Sequence, residues 1–77
     1  MAKNSISKAV RKAVEAYIAD MEGQEIIDLY ELVLKEVEAP MLSSVMKHTG
    51  NNQSKTASIL GLSRGTLRKK LLKYRLL

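Results

Sequence analysis

Eight basic side chains in the second half of this sequence are its strongest candidates for binding chemistry. All eight acidic residues lie between Glu15 and Glu38, and residues 39–77 contain none. Residues 1–46 therefore carry a net charge of −3, whereas residues 47–77 carry a net charge of +8. Ammonium and guanidinium groups bind phosphates and carboxylates. A chain that concentrates positive charge at one end is expected to bind a polyanion with that end.

Other site chemistries have little support in the composition. The 77 residues include no cysteine and a single histidine, His48, so we expect no disulfide and no ordinary zinc site. The four glycines form no phosphate-binding loop, and no catalytic constellation is visible. We therefore predict a protein that is not an enzyme and has no cofactor or metal. No apolar run reaches the length of a membrane span and no secretory signal is evident, so the cytoplasm is the expected location.

The N-terminal half reads as two helices that position these basic residues. In residues 5–21, apolar residues recur at three- and four-residue steps, which predicts a helix capped by Asn4 or Ser5 and ended by Gly23. Residues 24–49 are apolar almost all round, and a helix with such a surface must be covered on most sides. So short a chain has a marginal core of its own.

A second copy of the chain is the expected cover, so residues 1–49 are interpreted as the dimerisation core. Pro40 predicts a kink or a break in its second helix. The alternative is two separate helices divided at Pro40. Together with residues 50–77, this core is expected to form one folded domain.

The C-terminal region, residues 50–77, fits a helix-turn-helix. A helix to about residue 60, capped by Asn51 or Asn52, should carry Ala57, Ile59 and Leu60 inward. The motif needs a small residue in the first helix, a residue tolerant of positive φ at the turn, and an apolar plug after it. Three residues meet these needs in order: Ala57, Gly61 and Leu62.

The last helix is predicted over residues 64–74, with Ser63 as its N-cap. Leu67, Leu71 and Tyr74 share one face, and Arg64 lies in the exposed first turn. The residues roughly opposite that face are Thr66, Lys69, Lys70 and Lys73. Such a helix places its N-terminal end in a DNA major groove.

Two stretches of this region resemble a known family. Asn52-Gln53-Ser54-Lys55-Thr56-Ala57 and Gly61-Leu62-Ser63-Arg64-Gly65-Thr66-Leu67-Arg68-Lys69-Lys70-Leu71 closely resemble the Fis (factor for inversion stimulation) family, as does the upstream run over residues 28–40. The resemblance covers nearly the whole chain. It implies an all-α, four-helix protomer and an intertwined homodimer. In this family the paired recognition helices lie closer than one turn of straight DNA, so the duplex must bend and specificity comes largely from deformability.

The resemblance also implies roles for individual residues. Arg64 matches the arginine that meets a guanine edge, and Asn52, Thr66, Lys69 and Lys70 match backbone-contacting positions. Ser54, which replaces a threonine, can still donate to a phosphate, and Lys73 matches a flanking position. The DNA-binding residues expected from the motif and the resemblance are Asn52, Gln53, Ser54, Lys55, Ser63, Arg64, Thr66, Arg68, Lys69, Lys70, Lys73 and Arg75.

Three departures from the family pattern bear on these roles. Ser63 replaces an asparagine that lies against bases, so base discrimination beside Arg64 is expected to differ. Gly50 and Leu72 replace basic residues, which weakens the expected flanking contacts, and Arg75 partly compensates. The chain begins after the β-hairpin with which longer homologues stimulate DNA invertases, so that activity is not expected.

The predicted function is that of a nucleoid-associated, DNA-bending transcription regulator that binds double-stranded DNA as a homodimer. The nearest alternative is the DNA-binding module of a σ54-dependent activator. Others are a dimeric adaptor with a merely solvated basic face, and a basic helix that binds a membrane or a calmodulin-like partner. The eight carboxylates are interpreted as solvated, as repelling DNA, or as a surface for RNA polymerase or another protein.

Overall fold

The computed structural model describes the backbone of residues 2–77 and the side chains of residues 5–77. Those residues form no strand, and their four helices confirm the predicted all-α class. The helices are α1 (Ala2–Met21), α2 (Leu29–His48), α3 (Gln53–Leu60) and α4 (Arg64–Lys73). The chain divides into two compact units, one that ends at Val33 and one that spans Leu34–Leu77. The functional boundary expected between residues 49 and 50 stays a prediction.

Helix α1 starts earlier than the sequence pattern suggested. It begins at Ala2, so Asn4 and Ser5 lie inside the helix and the prediction that one of them is its N-cap is wrong. The helix ends as predicted at Gly23, which has a φ of 85° that an L-residue rarely adopts. Along α1 the apolar stripe is only partly covered in the protomer: Ile6 and Ile18, for example, are exposed.

Helix α2 starts later than expected. Residues 24–27 are not helical, and the helix begins at Leu29, where the carbonyl of Asp28 accepts from the amide of Leu32 at 3.1 Å. Two adjacent β-branched residues, Ile26 and Ile27, disfavour helix at this point. From Leu29 the helix runs through Pro40 to His48 without interruption, so the alternative of two helices divided there is wrong. The kink at Pro40 stays a prediction.

Side chains from three helices form the core of the Leu34–Leu77 unit. Leu42 and Met46 of α2 meet Ala57 of α3 and two leucines of α4, Leu67 and Leu71. Both leucines are 0% exposed, which confirms the predicted inward face of α4. Burial of several aliphatic side chains at about 1.5–3 kcal/mol each is the main force that holds α4 in place.

The inward face of α3 differs from the prediction at one position. Ile59 is 56% exposed, whereas Thr56 is fully buried beside Ala57. On a helix with 100° per residue, Ile59 lies about 200° from Ala57, while Thr56 and Leu60 lie within about 100° of it. Ile59 therefore points away from the core, and the expectation that it faces inward is wrong.

Three helices end in the same type of turn, in which an amide just past the helix donates to the carbonyl five residues earlier, in the last helical turn. The donor and acceptor pairs are Asn51 with Met46, Leu62 with Ala57, and Leu76 with Leu71, at 2.8, 2.9 and 2.8 Å. The residue before each donor is left-handed: Gly50 (φ 67°), Gly61 (φ 73°) and Arg75 (φ 57°). Glycine suits this conformation, and arginine does not.

Candidate nucleic-acid interface

The turn between α3 and α4 has the local chemistry that its sequence predicted. Gly61 is left-handed, and Leu62, which follows it, is half-buried. Ser63 is the N-cap of α4, and its hydroxyl oxygen accepts from the amide of Thr66 at 3.1 Å. The Ser63 hydroxyl also donates to the Thr66 side chain at 2.9 Å. The Ser63 side chain therefore fixes the start of α4 through two hydrogen bonds, one that it accepts and one that it donates.

A second cap and a buried hydroxyl pair hold the start of α3. The Asn52 side chain accepts from the amide of Lys55 at 3.0 Å, so Asn52 is the N-cap. Thr49, just past α2, shares a 2.7 Å hydrogen bond with the side chain of Thr56 and accepts from the amide of Asn52 at 3.2 Å. Sequence reasoning missed Thr56 because a hydroxyl residue gives no apolar periodicity. This network attaches α3 to the end of α2 within the same unit.

The N-terminal ends of α3 and α4 lie side by side. The guanidinium Nη1 of Arg64 donates to the hydroxyl of Ser54 at 3.4 Å, although the residues are ten positions apart. Both side chains are exposed. One of the five guanidinium N–H groups makes this bond, and a bidentate contact to a base edge needs two more. The structure thus presents Arg64 to solvent beside a second hydrogen-bonding residue.

Helix α4 is two-sided, as predicted, but the expectation that Lys70 lies opposite the leucines is wrong, because at 100° per residue it lies about 60° from Leu67. Its core-facing leucines are fully buried, whereas Arg64, Thr66, Arg68, Lys69 and Lys73 are exposed. Residues 39–77 contain no acidic residue, so no carboxylate on α3 or α4 offsets the charge of this exposed side. The exposed side can therefore contact a polyanion without first displacing an acidic neighbour on its own helix.

Lys70 occupies a different environment from the other basic residues of α4. Its Nζ donates to Oε2 of Glu38, on α2, at 2.7 Å, and the Tyr74 hydroxyl donates to Oε1 of the same carboxylate. The Glu38 side chain is 17% exposed and that of Lys70 is 31% exposed. The expectation that all eight carboxylates are solvated is therefore wrong for Glu38. No sequence pattern signals a pairing across 32 residues.

This network changes the acidity of Glu38. The hydrogen bond from Lys70 lowers the pKa of the Glu38 carboxyl below its ordinary value, and the hydrogen bond from Tyr74 lowers it further. Partial burial acts in the opposite direction, and the nearby charges of Lys70 and Lys73 add to the lowering. Glu38 is therefore ionised throughout the neutral range, and it stays a charged acceptor for both donors.

A shallow groove of about 370 Å³ lies next to this network, between the middle of α2 and the end of α4. Its charged residues are the basic Lys35, Lys73 and Arg75 and the acidic Glu36. The Lys73 ammonium sits 5.3 Å from the centroid of the Tyr74 ring, a cation–π distance. Three of the four charged residues that line the groove are basic, so its net charge is positive.

The structure places the twelve predicted DNA-binding residues on or beside α3 and α4. Hydrogen bonds join Asn52 with Lys55, Ser63 with Thr66, and Ser54 with Arg64. Gln53 is half-buried at the start of α3, and Lys70 is half-buried against Glu38. Arg75 lies just beyond the end of α4. The role of each residue in binding stays a prediction.

Other kinds of site find no support in the described part of the chain. Within residues 5–77, no three His, Cys, Asp or Glu side chains are grouped so that they could hold a metal ion. None of the helices in that part combines the length and apolarity that crossing a bilayer requires.

Comparison with known sequences gives a consistent family. The profile described as "Bacterial regulatory protein, Fis family" matches residues 33–74. The protein named "DNA-binding protein Fis" from Psychromonas ingrahamii is 56% identical over 66 residues, which are 86% of this chain and 67% of the relative. Proteins of the same name from Aeromonas hydrophila and Haemophilus influenzae are 53% and 54% identical, with the same coverage.

Proposed function

This chain belongs to the Fis family of bacterial regulatory proteins, and on that premise we propose that it binds and bends double-stranded DNA as a homodimer. It would act in the cytoplasm as a nucleoid-associated architectural factor and transcription regulator. The proposal involves no catalytic step and no cofactor. The observation that carries it is the exposed basic side of α4, with Arg64 at its N-terminal end, opposite two fully buried leucines.

Arg64 is the residue assigned to base recognition. In helix-turn-helix proteins the first residues of the second helix meet base edges. A guanidinium group matches the two acceptors of guanine in a bidentate contact. Ser54 lies within hydrogen-bonding distance of Arg64 and can donate its own proton to a phosphate while it accepts from the guanidinium. The two residues would thus join a base contact to a backbone contact.

The remaining basic and polar residues that are exposed on α3 and α4 are assigned to the DNA backbone. Lys55, Thr66, Lys69 and Lys73 are exposed on α3 and α4. Each lysine that neutralises a phosphate releases counterions, which makes affinity depend steeply on salt. Arg75 and the neighbouring groove would reach flanking DNA. Affinity would then come chiefly from these contacts, and sequence choice from Arg64 and from the ease of bending.

Exposed apolar side chains support the homodimer. Tyr30 of α2 is 74% exposed in the single protomer, and Ile27, just before it, is 65% exposed. Leu34, Val37 and Met41 of α2 are also exposed. Such surface on a 77-residue chain favours association, because burial of about 25 cal/mol per Å² of apolar surface stabilises the assembly. Residues 1–49 are therefore proposed as the dimerisation region, and residues 50–77 as the DNA-binding region.

Bending follows from two copies of α4 that act together. If the dimer holds its recognition helices closer than one helical turn, straight DNA cannot seat both of them. The duplex must curve, and its central minor groove must narrow, at an energy that depends on the sequence between the contacts. Binding sites would therefore be selected partly at positions that the protein does not touch.

Contact between the acidic helices and RNA polymerase or another protein stays a prediction. The module of a σ54-dependent activator is a less suitable assignment, because the relatives above match 86% of this chain and are themselves named Fis.

A salt series tests the proposed function. The protein is titrated onto a duplex obtained by binding-site selection, and onto a generic duplex, between about 50 and 200 mM salt. Affinity should fall log-linearly, with a slope of about −0.9 for every phosphate neutralised. If the protein binds neither the selected nor the generic duplex at the lowest salt, the proposal is contradicted and a dimeric adaptor is favoured instead.

A further inference from the structure

We propose that Glu38 positions the DNA-binding helix, and that Lys70 is its anchor on α4 rather than a phosphate contact. The inference rests on the proposed function and deepens it, because it separates one lysine of α4 from the others. It departs from the expectation, drawn from family resemblance, that Lys70 contacts the DNA backbone.

The geometry of the Glu38 carboxylate is the first support. Each of its oxygens accepts a hydrogen bond, Oε2 from Lys70 at 2.7 Å and Oε1 from Tyr74. Lys70 and Tyr74 are four residues apart, so they lie on the same flank of α4 and its cap, one turn apart. Because two successive turns donate to the two oxygens of Glu38, the carboxylate fixes the rotation of α4 about its axis as well as its distance from α2.

Burial is the second support. The Glu38 side chain is 17% exposed and that of Lys70 is 31% exposed, whereas Lys69 belongs to the exposed side of the same helix. The charge of the Lys70 ammonium is already balanced by the partly buried carboxylate of Glu38, which accepts one of its N–H groups. The ammonium has two further N–H donors, but a phosphate that shared it would also meet the negative charge of Glu38, so the contact gains less than one made by an unpaired lysine. Lys69 forms no ion pair within 4 Å of a carboxylate among the described residues, so its charge is available to a phosphate.

The rotation of α4 that Glu38 fixes also sets the position of the Arg64 guanidinium. Leu67 and Leu71 hold α4 against the core, but apolar contacts are non-directional and tolerate small rotations of the helix about its axis. Arg64 lies six residues before Lys70, about 9 Å along a rigid helix. A rotation allowed at Lys70 is therefore transmitted to the guanidinium that must meet a base edge. Glu38 acts through α4 and need not touch DNA.

Five variants of the full chain test this assignment. They are Lys70→Gln, the neighbouring control Lys69→Gln, Glu38→Gln, the milder Tyr74→Phe, and the double variant that combines Glu38→Gln with Lys70→Gln. For each, the salt slope is measured on a generic duplex, and the ratio of affinities is measured between a selected and a generic duplex. Thermal unfolding without DNA confirms that each variant is folded at the assay temperature. Tyr74→Phe removes only a hydroxyl, so it keeps the test open if a charge variant unfolds.

The expected results separate anchoring from phosphate binding. Lys69→Gln should flatten the salt slope by about 0.9 for each phosphate that the variant no longer neutralises. Lys70→Gln should leave the slope unchanged and lower the selected-to-generic ratio by about fivefold or more, the lower end of what one misaligned base contact costs. Glu38→Gln and Tyr74→Phe should lower the same ratio. The double variant of Glu38 and Lys70 should reduce the ratio no further than either single variant, because both residues act through one ion pair.

Two kinds of result would overturn the assignment of Lys70 as an anchor and leave the proposed function intact. In one, wild-type binding is normal and Lys70→Gln flattens the slope as Lys69→Gln does, with the ratio unchanged. In the other, Glu38→Gln raises affinity equally on both duplexes, as removal of a repelling charge would. A wild-type chain that binds no duplex would instead refute the proposed function, and this inference with it.

Discussion

Replacement of Arg64 by alanine should separate sequence recognition from DNA binding in general. The side chain is exposed, and its hydrogen bond to Ser54 is long, at 3.4 Å, so its loss should change folding stability by no more than about 0.5 kcal/mol. A bidentate contact to guanine contributes about 1–3 kcal/mol to discrimination at each half-site. A dimer with two such contacts would lose about 2–6 kcal/mol on a selected site.

Arg64→Lys is the matched control, because it keeps the charge and removes the planar fork of N–H groups. We expect this variant to retain the salt slope of the wild type and to lose most of the discrimination. Anisotropy titrations with the selected duplex, and with a duplex changed at the one guanine in each half-site, measure both quantities. If Arg64→Ala weakens binding to the two duplexes equally, Arg64 contacts only the backbone and its assignment to base recognition is wrong.

Three further predictions concern the fold. Arg75→Gly should stabilise the protein by about 0.5–1 kcal/mol and Gly61→Ala should destabilise it by a similar amount, because both residues have the left-handed conformation that favours glycine. A methyl group at Gly61 would meet no neighbour within 4 Å, so this cost comes from the backbone conformation alone, and chemical denaturation measures both changes. Because the folded-state pKa of Glu38 is lowered, its contribution to stability is complete above the ordinary glutamate pKa of about 4.3 and is lost as pH falls through the lowered value, so Glu38→Gln should flatten the acid side of the stability profile; equal acid sensitivity in the two proteins would contradict this. Val33→Asp should abolish folding rather than release a folded monomer, and sedimentation with circular dichroism would detect a helical monomer if the shared-core interpretation is wrong.

Sequence alone was most informative in the C-terminal region. Asn52, Gly61 and Ser63 are residues whose side chain or backbone freedom sets a helix boundary locally, and each lies at the predicted boundary. Leu67 and Leu71 repeat at helical spacing, and both are buried as expected. Short-range chemistry fixed these features, so a sequence was sufficient to find them.

The features that sequence could not supply depend on longer-range contacts or on polar residues. The pairing of Glu38 with Lys70 joins residues 32 positions apart, and neither residue type signals a partner. Thr56 is buried because its hydroxyl meets that of Thr49, a reason that an apolar pattern does not register. Ile59 was expected inside on its hydrophobicity, although its angle around α3 points it outward.

The curvature of DNA in a complex of known stoichiometry tests the central claim most directly. Circularly permuted fragments that carry a selected site are bound by the protein, and the protein-to-DNA ratio of each shifted band is determined. The account predicts two copies per site and a mobility that depends strongly on the position of the site within the fragment. A single copy bound to DNA whose mobility is the same for every permutation would contradict it.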